Sequence, residues 1–205
     1  MRLLLFAATT GYQIRAFADA ARRLGADLTL ATDRCHVLED PWGDQAIPVK
    51  FDHSSEALET LRGFHFDGIA AVGDRPTALA AKAAKMLGIP FHPPGGARAC
   101  HDKYLARQLY QAAGLRLPGF FLVPLGEGPH AASRRARYPC VLKPLGLSAS
   151  RGVIRANNEA EFRAAFERIR ALLEESPDLR GAAEDQKQYV QVEDYIDGRE
   201  LRSRR

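Results

Sequence analysis

The chain opens with a short unbroken apolar run, Leu3-Leu4-Leu5-Phe6, which predicts a buried strand over residues 2–7. Ile14, Phe17, Ala21 and Leu24 then recur at helical spacing, so residues 12–24 read as a helix that stops at Gly25. Residues 28–31 read as a second strand and 54–62 as a short helix with Ala57, Leu58 and Leu61 on one side. Residues 68–72 give the strongest buried-strand pattern of this half. Pro76 suits the first turn of the next helix, which carries Leu79, Ala83, Met86 and Leu87 inward and takes Asp74 as its cap. Strands alternating with helices predict a Rossmann-like parallel sheet, an α/β domain over residues 1–91. Its ligand edge would lie at the strand ends, residues 8–11, 32–36 and 73–75.

The sequence His92-Pro93-Pro94-Gly95-Gly96 marks the domain boundary, because prolines and paired glycines continue neither a helix nor a central strand. Beyond it, Asp102 suits the cap of a helix starting at Lys103, with Leu105, Leu109, Ala112 and Ala113 as its inward stripe. Strands are expected at 117–123, 139–144, 153–155 and 189–196, the last with Val190 and Val192 on one face. Helices are expected at 131–137 and 159–175, the latter presenting Phe162, Ala165, Phe166, Ile169, Leu172 and Leu173. Residues 176–187 read as a polar loop.

Composition narrows the class. The 205 residues are 46% hydrophobic and 26% charged, the balance of a globular protein. No run of about 18 apolar residues occurs, so no membrane span is expected. The three cysteines, Cys35, Cys100 and Cys140, are odd in number and far apart, which suits free thiols and a cytoplasmic location. The net charge of +4 owes much to Arg199, Arg202, Arg204 and Arg205 near the end of the chain, so no nucleic-acid partner is expected. No GxGxxG follows the first strand and no GxxxxGK[ST] occurs, which removes the usual dinucleotide and P-loop turns.

The candidate chemistry lies in the second half. Lys143 closes an apolar strand, and Ser148, Ala149, Ser150, Arg151 and Gly152 follow within a few residues. Small residues let backbone N–H groups approach phosphate oxygens, and the lysine supplies a point charge. Three segments then resemble the ATP-grasp superfamily, in the family's order. They are Asp102-Lys103-(x)3-Arg107 with Ala113-Gly114-Leu115-(x)2-Pro118, then Tyr138-Pro139-Cys140-Val141-Leu142-Lys143-Pro144 with Ser148-Ala149-Ser150-Arg151-Gly152-Val153, and finally Val192-Glu193-Asp194-Tyr195-Ile196-Asp197-Gly198-Arg199-Glu200. The likeness runs over residues 92–201 and is greatest to carboxylate–amine and amino-acid ligases, biotin-carboxylase-like and D-alanine-ligase-like enzymes included.

The resemblance implies a pre-ATP-grasp domain at 1–91 and an α+β ATP-grasp domain at 92–205, with a lid-like part at about 115–195. It implies that Lys103 and Lys143 bind phosphate, and that Ser148, Ala149, Ser150, Arg151 and Gly152 form the loop over the β- and γ-phosphates. Glu193, Asp194, Tyr195 and Ile196 would be the hinge that reads adenine, and Glu200 the carboxylate for the ribose hydroxyls. The implied reaction is ATP-dependent ligation of a small carboxylic acid to an amine through an acyl phosphate, with Mg2+. Only five residues follow Glu200, so the family's magnesium ligands are expected beyond the C-terminus and no catalytic residue is assigned. The chain is accordingly expected to be truncated and inactive alone, with self-association through an exposed sheet edge. The alternative is a non-catalytic nucleotide-binding remnant or regulator.

Overall fold

The computed structural model describes residues 1–8, 12–33, 46–147, 149–175 and 187–199. The chain divides into two compact units, Met1–His101 and Asp102–Arg205.

In the first unit, strands β1 (Arg2–Ala7), β2 (Asp27–Thr32), β3 (Ala46–Pro48) and β4 (Gly68–Val72) form a parallel sheet in the order β3-β2-β1-β4. Successive residues of a strand point to opposite faces, and β1 shows the consequence. Leu4 and Phe6 join a core with Ala57 and Leu61 of helix α2 (Ser54–Leu61) and Leu79, Ala80 and Ala83 of helix α3 (Asp74–Leu87). Leu5 and Ala7 pack on the other side with Ile14 and Ala21 of helix α1 (Tyr12–Arg23). The sheet is thus covered on both faces, as the alternating pattern predicts.

Several expectations for this unit need correction. The buried centre of the sheet is β1, not 68–72. Strand β4 is an edge strand, and every residue of it is only half-buried. Phe17 and Leu24, read as inward positions of α1, are exposed. The N-cap of α3 is Gly73, and Asp74 is the first helical residue. The Pro-Gly segment read as the domain boundary starts a helix, α4 (Pro94–His101), which packs against α3 and belongs to the first unit. Pro94 stands at the first helical position, where its missing N–H costs nothing. Gly95 and Gly96 lie in the same opening turn.

The second unit begins with helix α5 (Lys103–Ala112), capped by Asp102 Oδ1, which accepts from the N–H groups of Tyr104 and Leu105 at 3.0 Å each. Its expected apolar stripe is not buried: Leu109 is exposed and no residue of the helix is fully covered. The side that packs is polar instead, with Lys103 and Arg107 making its contacts. Strands β5 (Phe120–Pro124), β6 (Cys140–Pro144), β7 (Ile154–Ala156) and β8 (Tyr189–Asp194) form an antiparallel sheet in the order β5-β8-β6-β7. Helices α6 (Pro129–Arg135) and α7 (Glu159–Glu175) cover one face. There Cys140, Leu142, Val190 and Val192 meet Ala132 of α6 and Phe162, Phe166, Ile169 and Leu173 of α7. Strand β8 is paired on both sides, so among the described strands of this sheet the edges are β5 and β7. The loop expected at 176–187 lies almost wholly outside the described residues.

Candidate functional site

Strand register decides which side chains share the sheet face opposite α6 and α7. Lys143 stands beside Gln191, and Val141 beside Glu193. On the other flank Leu122 stands beside Gln191, and Phe120 beside Glu193. Because Val190 and Val192 point into the core, Gln191 and Glu193 must point away from it. Helix α5 meets this face with Lys103, Tyr104 and Arg107, which are neighbours at helical spacing. The Tyr104 ring stands edge-on to Phe120 with centroids 5.6 Å apart.

Glu193 is the centre of the cluster, with only 5% of its surface exposed. Arg107 grips it with two donors, Nε to Oε1 at 2.8 Å and Nη2 to Oε2 at 3.2 Å. Lys143 Nζ donates to Oε2, and Gln191 Nε2 donates to Oε1 at 2.6 Å. Burial pushes the Glu193 carboxyl up, but hydrogen bonds and charge from Arg107 and Lys143 outweigh it and hold the group below the ordinary glutamate range. Two cations thus share one buried carboxylate, one positive charge more than Glu193 balances.

That loop is held at its start by Lys103, whose Nζ donates to the carbonyls of Leu145 at 2.9 Å and Leu147 at 2.6 Å. Ala149 and Ser150 follow at φ of +55° and +58°, both exposed. Arg151 is exposed as well. Gly152, at φ +72°, lies so close to its surroundings that a Cβ would come 2.9 Å from Leu172 Cδ2 and 3.1 Å from Pro144 Cγ. A glycine there meets both the conformation and the lack of space.

After β8 the backbone is tied down before it leaves the sheet. Asp194 N–H donates to Gly119 O at 2.8 Å and Tyr195 N–H to Pro139 O at 3.0 Å. A Cβ on Gly119, just before β5, would fall 2.5 Å from Asp194 Oδ2, so a larger residue there would have to displace the Asp194 side chain. The Tyr195 ring lies under the Arg155 guanidinium at 4.1 Å, and Ile196 is 67% exposed. Ser148 and Glu200, expected in the phosphate loop and at the ribose, lie outside the described residues.

Of the residues singled out from sequence, the fold brings Lys143 and Glu193 into contact and ties Lys103 to the loop after Lys143. Two members of the cluster received no role from sequence, Arg107 and Gln191. Both had a signal. Arg107 is four residues after Lys103, hence on the same side of a helix. Gln191 is two residues before Glu193 on a strand, hence on the same face.

Two family models match the chain in order: an ATP-grasp N-terminal domain over residues 18–91 and an ATP-grasp domain over residues 136–202. The chain belongs to the ATP-grasp superfamily. The second match contains Lys143, Gln191 and Glu193, whereas Arg107 on α5 lies outside the matched residues. Among curated relatives, D-alanine–D-alanine ligase B of Chromobacterium violaceum is 30% identical over 125 residues, covering 58% of this chain and 41% of that one. The ATP-grasp enzyme fsqD of Aspergillus fumigatus is 28% identical over 176 residues, covering 75% of this chain and 28% of that one. The fold is that of the L-amino acid ligase of Bacillus licheniformis, at TM-score 0.68 and 22% identity, over 96% of this chain and 44% of that one. This ATP-grasp chain therefore spans less than half the length of the curated relatives it matches.

Proposed function

We propose that the second unit binds ATP on the β6–β8 face, and that the activity it serves is ATP-dependent joining of a small carboxylic acid to an amine. The observation that carries the reading is the surplus of charge around Glu193. Arg107 and Lys143 both pair with one buried carboxylate, next to a loop of small residues whose opening carbonyls Lys103 gathers. A triphosphate is the polyanion such a surplus suits. Membership of the ATP-grasp superfamily and the ligase relatives support the same choice.

In this reading Lys143 meets the phosphates, Ala149, Ser150, Arg151 and Gly152 close over them with Ser148, and the backbone of Asp194, Tyr195 and Ile196 borders the purine. Glu200 takes the ribose hydroxyls. A carboxylate oxygen of the acid attacks the γ-phosphorus and ADP leaves, giving an acyl phosphate. The amine nitrogen then attacks the acyl carbon, inorganic phosphate leaves with the C–O electron pair, and the nitrogen gives up a proton. What this chain contributes is positioning and charge neutralisation. Mg2+ belongs to the reading through the family and would supply further neutralisation of phosphate charge. Among the described residues no three His, Cys, Asp or Glu side chains gather to hold a metal, so no metal-dependent step is assigned to them. Cys100 and Cys140 are free thiols, which suits a reducing cytoplasm.

Calorimetric titration of the chain with ATP tests the proposal, with GTP as the comparison. ATP binding that weakens about tenfold or more in Lys143→Met, the loss of one charge-assisted contact, is the expected result. No ATP binding, or equal affinity with Lys143 removed, overturns it.

A further inference from the structure

Glu193 accepts four hydrogen bonds, two on each oxygen. Oε1 takes Arg107 Nε and Gln191 Nε2, while Oε2 takes Arg107 Nη2 and Lys143 Nζ. Three of these four donors thus come from Arg107 and Gln191. Lys143 is the one donor that the ATP reading also asks for elsewhere. A lysine that must leave a buried carboxylate to meet a phosphate does so at a cost set by what stays behind. With Arg107 in place, each oxygen keeps a donor and the carboxylate keeps an opposite charge in bidentate geometry. Without Arg107, departure of Lys143 would strip Glu193 of its remaining paired cation.

Gln191 adds a second sign that the arrangement serves Glu193. Its side chain is fully buried, it turns its NH2 toward the carboxylate, and its Oε1 has no hydrogen-bond partner among the described residues. A buried bare acceptor is costly, and a residue present only to fill space would not carry one.

Resting on the ATP reading above, we propose that Arg107, seconded by Gln191, is a positioning residue: it holds the Glu193 carboxylate in place of Lys143, so that Lys143 is released to the nucleotide phosphate. The role of Arg107 is thus exerted through Glu193, the carboxylate both its donors meet. The charges that act on Glu193 are those of Arg107 from α5 and Lys143 from β6. The register neighbours on its flanks, Phe120 and Val141, are neutral.

The test measures ATP affinity for the whole chain, Arg107→Met, Arg107→Lys, and Arg107→Met combined with Glu193→Gln. Loss of the bidentate partner is expected to weaken ATP binding by roughly 10- to 100-fold in Arg107→Met, as Lys143 stays trapped. Arg107→Lys falls between, because it restores charge without the fork. In the Glu193→Gln background, where no carboxylate traps the lysine, removing Arg107 should change affinity less than about 3-fold, near the limit of additivity. Equal losses in both backgrounds, or no loss in either, overturn the proposal. A nucleotide-free arm follows the Glu193 carboxyl by carbon-13 NMR as acid is added. Its titration should move upward more in Arg107→Met, or in Arg107→Lys where the methionine variant does not fold, than in Lys143→Met. The opposite order overturns the proposal whether or not ATP binds. Absence of ATP binding by the unaltered chain instead counts against the ATP reading alone.

Discussion

Cys140 illustrates how much a single position is governed by its surroundings. Its thiol is buried between β8 and α7, and burial, with the nearby Asp194 charge, pushes its pKa up to about 11. A thiol so rarely ionised near neutral pH is a poor nucleophile. Peptide mapping after alkylation at pH 8 should find Cys100, which is exposed, modified in the native chain, and Cys140 modified only after unfolding. Native-state labelling of both at similar rates would contradict the packing described. Gly152 gives a second residue-level test. An alanine there meets a positive φ as well as Leu172 and Pro144, and overpacking of this kind costs about 1–3 kcal/mol. Urea unfolding of Gly152→Ala should show that loss in the second unit, and an unchanged midpoint would mean that the loop is not seated as described. Which residues would matter was partly legible from types alone, since Lys143 and Glu193 stand in recognisable segments. The silent members were Arg107 and Gln191, whose importance comes from an ion cluster formed between elements distant in sequence.

At the scale of elements, helix α5 shows both what patterning reveals and where it misleads. Its start was legible because Asp102 is a capping residue placed before a helical run, and Asp102 does accept from two of the first backbone N–H groups. Asp102→Ala should cost about 0.5–2 kcal/mol and speed hydrogen exchange at the Tyr104 and Leu105 amides above all. Unchanged exchange at those two sites would show that the cap contributes nothing. The inward side of the same helix was misread because Leu105, Leu109, Ala112 and Ala113 share helical spacing, yet Lys103, Tyr104 and Arg107 make the contacts. A polar face can be the packed face when a buried carboxylate waits opposite it, and periodicity of apolar residues carries no sign of that. Helix α4 was missed for a different reason. Pro94, Gly95 and Gly96 are helix breakers in mid-element but harmless in an opening turn. By contrast, α7 and β8 were plain in the sequence, since Phe162, Phe166, Ile169, Val190 and Val192 face one core at regular intervals.

For the molecule as a whole, the doubly covered parallel sheet of the first unit follows from alternating strands and helices, whereas the α+β make-up of the second was implied by the ATP-grasp resemblance of its three motif segments. Strand order, which put β8 inside its sheet and β4 at an edge, followed from neither, because non-local pairing leaves no local mark. The Glu193 cluster also ties the second unit's stability to pH. Its folded carboxyl titrates below the unfolded value of about 4.3, so the stabilisation is complete above that pH and is lost as pH falls through the folded value. Urea midpoints measured from pH 7 to pH 3 should therefore fall more steeply for the unaltered chain than for Glu193→Gln, and parallel curves would contradict the ion cluster. The most direct test of the whole account is a backbone amide NMR titration with ATP. Saturable shifts should concentrate at residues 140–155 and 189–199, around Lys143 and Glu193. Shifts confined to the strand ends of the first unit, with residues 140–155 unmoved, would contradict it.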